Sequence, residues 1–301
     1  NVATVKCLID TSLINVNNVS LSVRIFSTPI LSEGKRTTWG VLKRTSALKG
    51  TKTRIKQKAI STTPPFTNTK SIIFDGVDDF MDLGNIAELQ SVSNFSISFR
   101  VRFPSALASF NWSFGSYTSS SNRITIGLGS TGRWRAYIDT AMVRTGATGV
   151  TKTYQGDSAT VTVVFDGSLV GNTERLKVYI NGQDNINPDS SGTMPATTNT
   201  NTDNFEFGGS GYPGDVDNQY IDEVAIFDYS LTYAQAVTIY NTDGTAIDLM
   251  NTVGITPPQH YYRCGDDALD VFPNIEDIGT SGANNGVMTN MTAGDIVSIL
   301  P

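Results

Sequence analysis

Residues 95–103 read Phe-Ser-Ile-Ser-Phe-Arg-Val-Arg-Phe, with Phe95, Ile97, Phe99, Val101 and Phe103 alternating against Ser96, Ser98, Arg100 and Arg102. A period of two puts one set on a buried face and the other on a wet face, as in an antiparallel sheet covered on one side. The alternation returns at 123–129, 133–139, 159–167, 175–182 and 203–209, with turn-forming residues between the runs. Asn181-Gly182, closing one such run, predicts a type I′ turn. Helix is predicted only at 230–241, where Ser230 stands as the cap and Leu231, Ala234, Val237 and Tyr240 recur every three residues. The polar stretch 187–204 has no core pattern and predicts a mobile loop. Many short strands, one brief helix and no strand–helix–strand rhythm predict an all-β antiparallel sandwich.

Charge divides the chain. Of the 22 Lys and Arg residues, 11 lie in residues 1–60 beside only Asp10 and Glu33, so this section carries +9 and the remainder −15. Pro64 and Pro65 forbid regular structure at the junction. The expected organisation is a basic arm or attachment segment at 1–63, a sandwich at 64–245 and a segment at 246–301 packed onto it. The arm should seek an acidic partner, either the rest of the chain or a larger assembly. In its basic section 34–58 aromatic interleaving is limited to Trp39, which weighs against nucleic acid. No apolar run approaches the roughly 20 residues that span a bilayer. Lys6 and Asp10 interrupt the opening apolar stretch, which does not read as a signal peptide. Cys7 and Cys264 form no zinc motif, and two free thiols are expected over a bridge.

The candidate chemistry is acidic and aromatic. Asp75, Asp78 and Asp79 crowd one turn, and Asp215, Asp217, Asn218 and Asp222 surround another. Calcium takes six to eight oxygens from such loops, but the same residues also cap turns and accept backbone N–H bonds. Both readings stay open, with calcium the one candidate cofactor. Around the first turn Phe74, Val77, Phe80 and Leu83 are expected to pack. Trp112, Tyr117 and Tyr212 are the candidate glycan-stacking rings, with Trp112 and Tyr212 in loop-like sequence. Trp134, between Arg133 and Arg135, is expected in the core. Catalytic groups are scarce: Glu206 stands alone between Phe205 and Phe207, and adjacent Asp222 and Glu223 are expected on opposite sheet faces. His260, beside Tyr261 and Tyr262, has no nucleophile motif nearby and reads as a satisfied structural histidine. No phosphate loop is present. The expectation is a non-enzyme.

The stretch SIIFDGVDDFMDLGN (71–85) resembles the early strand pair of concanavalin A-like, laminin G-like jelly-roll domains. NQYIDEVAIFDYSLTYAQAVTIYN (218–241) is similar to their closing strand and short helix. The resemblance covers residues 70–241 and implies a jelly-roll β-sandwich of the concanavalin A-like lectin/glucanase type. The Glu-x-Asp-x-Glu strand of the fold's glycosidases is absent. Residues 260–290 resemble the opening segment of such domains, and the C-terminal tail resembles bacteriophage virion-associated proteins. This implies a structural protein of the virion surface, a head or tail decoration or fibre component. Its arm would bind other virion proteins and its lectin-like face host glycans, with homo-oligomerisation left open. The alternatives are a secreted or cell-surface bacterial adhesion module and a glycan-cleaving enzyme.

Overall fold

The computed structural model describes residues 66–104, 110–146, 153, 156–184, 187–209, 218–241 and 244–301, and the backbone of 7–8 and 24–25. The chain divides into two units, Asn1–Thr63 and Pro64–Pro301. In the first, β1 (Cys7–Leu8) pairs antiparallel with β2 (Arg24–Ile25). The basic stretch 34–58 lies outside the described residues.

The second unit is two antiparallel sheets face to face. The chain contributes β3 (Ser71–Phe74), β4 (Phe80–Asp82), β5 (Asn94–Arg102), β6 (Asn111–Ser119) and β7 (Asn122–Leu128). It continues through β8 (Trp134–Ile138), β9 (Ala141–Arg144), β10 (Ser158–Asp166), helix α1 (Asn172–Arg175) and β11 (Leu176–Ile180). Then follow β12 (Asp189–Ser191), β13 (Glu206–Phe207), β14 (Gln219–Phe227), helix α2 (Tyr233–Tyr240) and β15 (His260–Tyr262). The tail ends with β16 (Asn274–Ile275), β17 (Gly286–Thr289) and β18 (Ile296–Val297). One sheet has seven strands in the order β11-β10-β5-β14-β3-β18, with β15 also on β14; the other has nine, β12-β9-β8-β7-β6-β13-β4-β17-β16.

Alternation placed the core where the pattern put it. The apolar set of β5 is wholly buried and meets Phe114, Trp134 and Phe207 from the opposing sheet. Phe99 packs edge-on against Trp134 at 6.0 Å and Phe207 at 5.6 Å. Each such ring contributes roughly 1.5–3 kcal/mol on burial, so these contacts decide which sheet faces meet. A second apolar cluster lies on the other side of the seven-stranded sheet. There Val164, Tyr179, Ala225 and Phe227 are covered by Leu231, Ala236, Ile239, Leu249 and Ile255.

The tail folds back onto both sheets. β14 pairs with β3 through Gln219–Ile221 and with β15 through Val224–Ile226, so two strands divide one edge. β17 lies beside β4 and β18 beside β3, covering edges that would otherwise be open to pairing with other chains. Asp266 fastens the arrangement by accepting the backbone N–H groups of Thr69 (2.8 Å) and Lys70 (3.0 Å).

Several local expectations are corrected. Thr232, not Ser230, caps α2, in a reciprocal box with Gln235, while the Ser230 hydroxyl donates to the Phe165 carbonyl at 2.7 Å. The buried face of α2 is Ala236 and Ile239, one residue out of phase with the predicted Ala234, Val237 and Tyr240. A second, four-residue helix, α1, was not foreseen. Asn181 and Gly182 have φ of 53° and 64°, as a type I′ turn needs, but the return strand is a single bridge from Ile180 to Gln183. The 187–204 stretch contains β12 and buries Met194, Thr198 and Asn201. Val77 is 76% exposed at the turn tip rather than packed. Cys264, in line with expectation, is a buried free thiol.

Candidate functional site

The outer face of the nine-stranded sheet collects the polar and aromatic residues left by alternation. Cross-strand pairing aligns Tyr137, Thr125, Gly115, Glu206 and Asp82 in one row over β8, β7, β6, β13 and β4. At about 4.8 Å between strands this row runs about 19 Å, the length of a short oligosaccharide. Gly115 forms its floor: a Cβ there would lie 2.7 Å from the Ile124 carbonyl oxygen, so no side chain fits.

Aromatic rings and arginines form one wall. Tyr117 faces Arg123 across β6 and β7, and the Arg123 guanidinium lies 4.0 Å from the Tyr137 ring centre and 5.9 Å from that of Tyr117. Arg123 Nε also donates to the Asp139 carbonyl at 2.9 Å, which fixes its plane over the tyrosine. Phe110 rests on Gly127, where a Cβ would come within 2.6 Å of the ring, and Arg135 caps Phe110 at 4.8 Å. At the opposite end are carboxylates. Asp82 accepts from Gly84 N–H (2.7 Å) and the Asn204 amide (3.0 Å), and its register partner on β13 is Glu206. The groove thus offers half-buried ring faces, cationic donors and anionic acceptors, the groups that hold a polyhydroxylated ring.

Of the predicted glycan residues, Tyr117 is half-buried on this wall. Trp112 is corrected: it lies within β6, not a loop, is only 5% exposed, and packs against Phe110 (4.3 Å) and Tyr137 (5.7 Å) as a support. Tyr212 lies outside the described residues. Sequence reasoning missed Tyr137, Arg123 and Arg135; the signal was their shared parity in β7 and β8, opposite Ile124, Trp134 and Ile138. Glu206 is not alone, since Asp82 faces it from a strand more than a hundred residues away in sequence.

The metal candidates separate. Asp75, Asp78 and Asp79 each bring a carboxylate oxygen within 4.8 Å of the others. Asp75 also accepts the Val77 N–H (2.8 Å) and Asp79 the Asp75 N–H (3.0 Å), so they build the turn as well. Burial raises the Asp79 carboxyl above its usual range, and the charges of Asp75, Asp295 and Asp78 push the same way. Asp215 and Asp217 lie outside the described residues, and Asn218 is half-buried just before β14.

Asp222 is held inside the fold. It is fully buried, and its oxygens accept from Asn68 Nδ2 (2.7 Å) and Glu223 N–H (2.8 Å). Nor do Asp222 and Glu223 point to opposite faces. The register against β5 slips between Asp222 and Ala225, and Glu223 has φ of 49°, a β-bulge that turns both carboxyls to the same side. Asn68 Nδ2 reaches Glu223 Oε1 as well, at 3.1 Å. Glu223 further accepts from the Tyr261 hydroxyl and, at 3.4 Å, from Arg263 Nε. Burial lifts its pKa from 4.5 to about 7, against those bonds, and burial together with the Glu223 charge pushes Asp222 up. His260 is buried between Asp277 (2.7 Å) and Glu88 (2.9 Å), joining the tail to the turn before β5. Burial works to lower its pKa, but the two carboxylate bonds outweigh it and hold the imidazole above its ordinary value.

A face-to-face jelly-roll sandwich with a groove across one sheet is the architecture of a lectin-type domain. The family model of the concanavalin A-like lectin/glucanases superfamily matches residues 75–236, more than half of the chain, and the chain belongs to this family. No curated protein matches it. Among solved structures it is similar to a candidate carbohydrate-binding protein from Bacteroides ovatus, with a TM-score of 0.54 and 15% identity over 76% of this chain. The chain spans 60% of that protein's length. It is also similar to domain 4 of an extracellular arabinanase from Geobacillus stearothermophilus, solved with arabinotriose (TM-score 0.42, 19% identity, 56% of this chain and 75% of that one). A heptameric pentraxin from Limulus polyphemus matches with a TM-score of 0.39 and 16% identity, over 58% of this chain and 83% of that one.

Proposed function

We propose that the chain is a non-enzymatic surface component of a virion, of a phage head or tail, whose sandwich contacts host glycans through the groove over β8, β7, β6, β13 and β4. The row from Tyr137 to Asp82 carries this reading: half-buried ring faces, arginines and carboxylates share one outer sheet face around buried Thr125 and Gly115. Membership of a lectin/glucanase family and a similar fold in a candidate carbohydrate-binding protein are in keeping with it. Residues 1–63 attach the chain to the particle; their excess of basic residues and the phage-like tail support this part. Calcium at Asp75, Asp78 and Asp79 would rigidify the turn beside β4.

A glycan array probed with the purified chain tests the groove. Binding that falls more than tenfold in Tyr117→Ala and Tyr137→Ala, with their melting temperatures retained, is the expected result. The facing carboxylates Glu206 and Asp82 favour a second reading, glycan cleavage. On that reading the bound oligosaccharide is hydrolysed and Glu206→Gln stops it; on ours the oligosaccharide is recovered intact. For the arm, a chain lacking residues 1–63 is expected to fail to join the particle.

A further inference from the structure

We infer that the groove takes acidic glycans, with the carboxylate of an acidic sugar held at its β8–β9 end by Arg135. The inference rests on the glycan reading of that groove and adds the charge of the ligand. Pairing sets Gly127, Arg135, Arg144 and Asp189 in one row over β7, β8, β9 and β12. This row runs beside the one that holds Tyr137, which lies two residues, about 7 Å, from Arg135 on the same face of β8.

Charge is unbalanced in this row. Arg135 and Arg144 are register partners on β8 and β9, and like charges directly opposite each other repel. Arg133 adds a third guanidinium, and Asp189 supplies the carboxylate. Its Oδ2 accepts from both Arg133 (2.6 Å) and Arg144 (2.7 Å). Arg133 also donates from Nε to the Thr145 carbonyl at 2.6 Å. Arg135 is placed differently. Among the described residues its guanidinium meets no carboxylate and makes no hydrogen bond, and its buried Nε has no acceptor. The Phe110 ring, 4.8 Å away, orients it, and the residue is half-buried. Gly129 sets no side chain beside it: a Cβ there would lie 3.8 Å from Arg135 Nη2 and 3.6 Å from the Arg133 carbonyl oxygen, ordinary contacts. A guanidinium takes a carboxylate through two parallel charge-assisted bonds, roughly twice as strong as those to a neutral hydroxyl. The oriented, unpaired fork therefore selects an acidic sugar over a neutral one.

The full chain is applied to an array that carries each acidic glycan twice, with its carboxyls free and as methyl esters. The esters keep the polyol and lose the charge. The wild type is expected to bind the free acids at least tenfold more tightly than their esters. Arg135→Met keeps an unbranched apolar stem against Phe110 and is expected to bring that ratio to about one, with ester binding retained. Gly129→Asp sets a competing carboxylate within reach of Arg135 Nη2 and is expected to lower the ratio at least fivefold. Gly129→Asn, of the same shape without the charge, is expected to leave it unchanged. Each ratio is taken within one variant, so a loss of fold, which weakens both forms, does not imitate loss of the site. Equal binding of acids and esters by the wild type, a preference that Arg135→Met keeps, or one ratio for both Gly129 variants would overturn the acidic subsite and leave the groove standing. Binding of neither form by the wild type would fail the groove, and the subsite with it.

Discussion

Replacing Glu223 by Gln should flatten the pH dependence of stability. Glu223 is 5% exposed at the bulge of β14, and burial raises its pKa from 4.5 to about 7. A carboxyl raised on folding binds its proton more tightly in the folded chain. Its contribution is therefore complete below pH 4.5 and is lost as pH rises through about 7. At about 1.4 kcal/mol per unit, the loss amounts to about 3 kcal/mol. For a unit of this size that is about 6–12 °C in melting temperature. Asp222 and His260 are also raised, so the wild type declines for several reasons, and the variant isolates one of them. Urea unfolding at pH 5, 6, 7 and 8 gives both curves. Any constant cost of losing the Arg263 pairing drops out of the slope. Parallel curves for the wild type and Glu223→Gln would refute the reasoning, because the bulge would then not hold a proton on this residue.

Three further outcomes follow from the packing. His260→Gln leaves Asp277 and Glu88 without their buried partner and should cost about 3–5 kcal/mol near pH 5. The cost should shrink as pH rises through the raised His260 pKa, since the wild type then loses the same charge; urea midpoints at pH 5 and 8 read the difference. Gly127→Ala forces a Cβ to within 2.2 Å of the Asn111 carbonyl oxygen and 2.6 Å of Phe110, a backbone clash worth about 1–3 kcal/mol by thermal melting. Calcium at millimolar concentration should raise the melting temperature, EDTA should reverse this, and Asp78→Asn should abolish the response; an unchanged melt in all cases leaves the three aspartates as turn-formers.

How much of this was legible depends on range. The sandwich was, because Phe95 to Phe103 announce a buried face over nine consecutive positions and need no partner to be read. The core position of Trp134 followed from the same parity. The acidic bulge was not: a period of two assumes regular pleating, and one residue with positive φ at Glu223 turns its neighbour's side to its own. The groove was half legible. Each member sits on the wet parity of its own strand, but only register brings Asp82 to Glu206 and Arg123 over Tyr137. Trp112 misled because Asn, Ser and Gly around it read as loop, although buried Asn111, Ser113 and Gly115 form strand. Capping of α2 by Thr232 was available in the sequence, since Gln235 stands three residues on.

The most direct test of the central claim is glycan-array binding by the wild type beside Tyr117→Ala and Tyr137→Ala, in calcium and again in EDTA. The account predicts wild-type binding to a defined set of glycans and its loss by more than tenfold in both variants. No binding by the wild type, or binding that both variants keep, would contradict a glycan groove on the nine-stranded sheet.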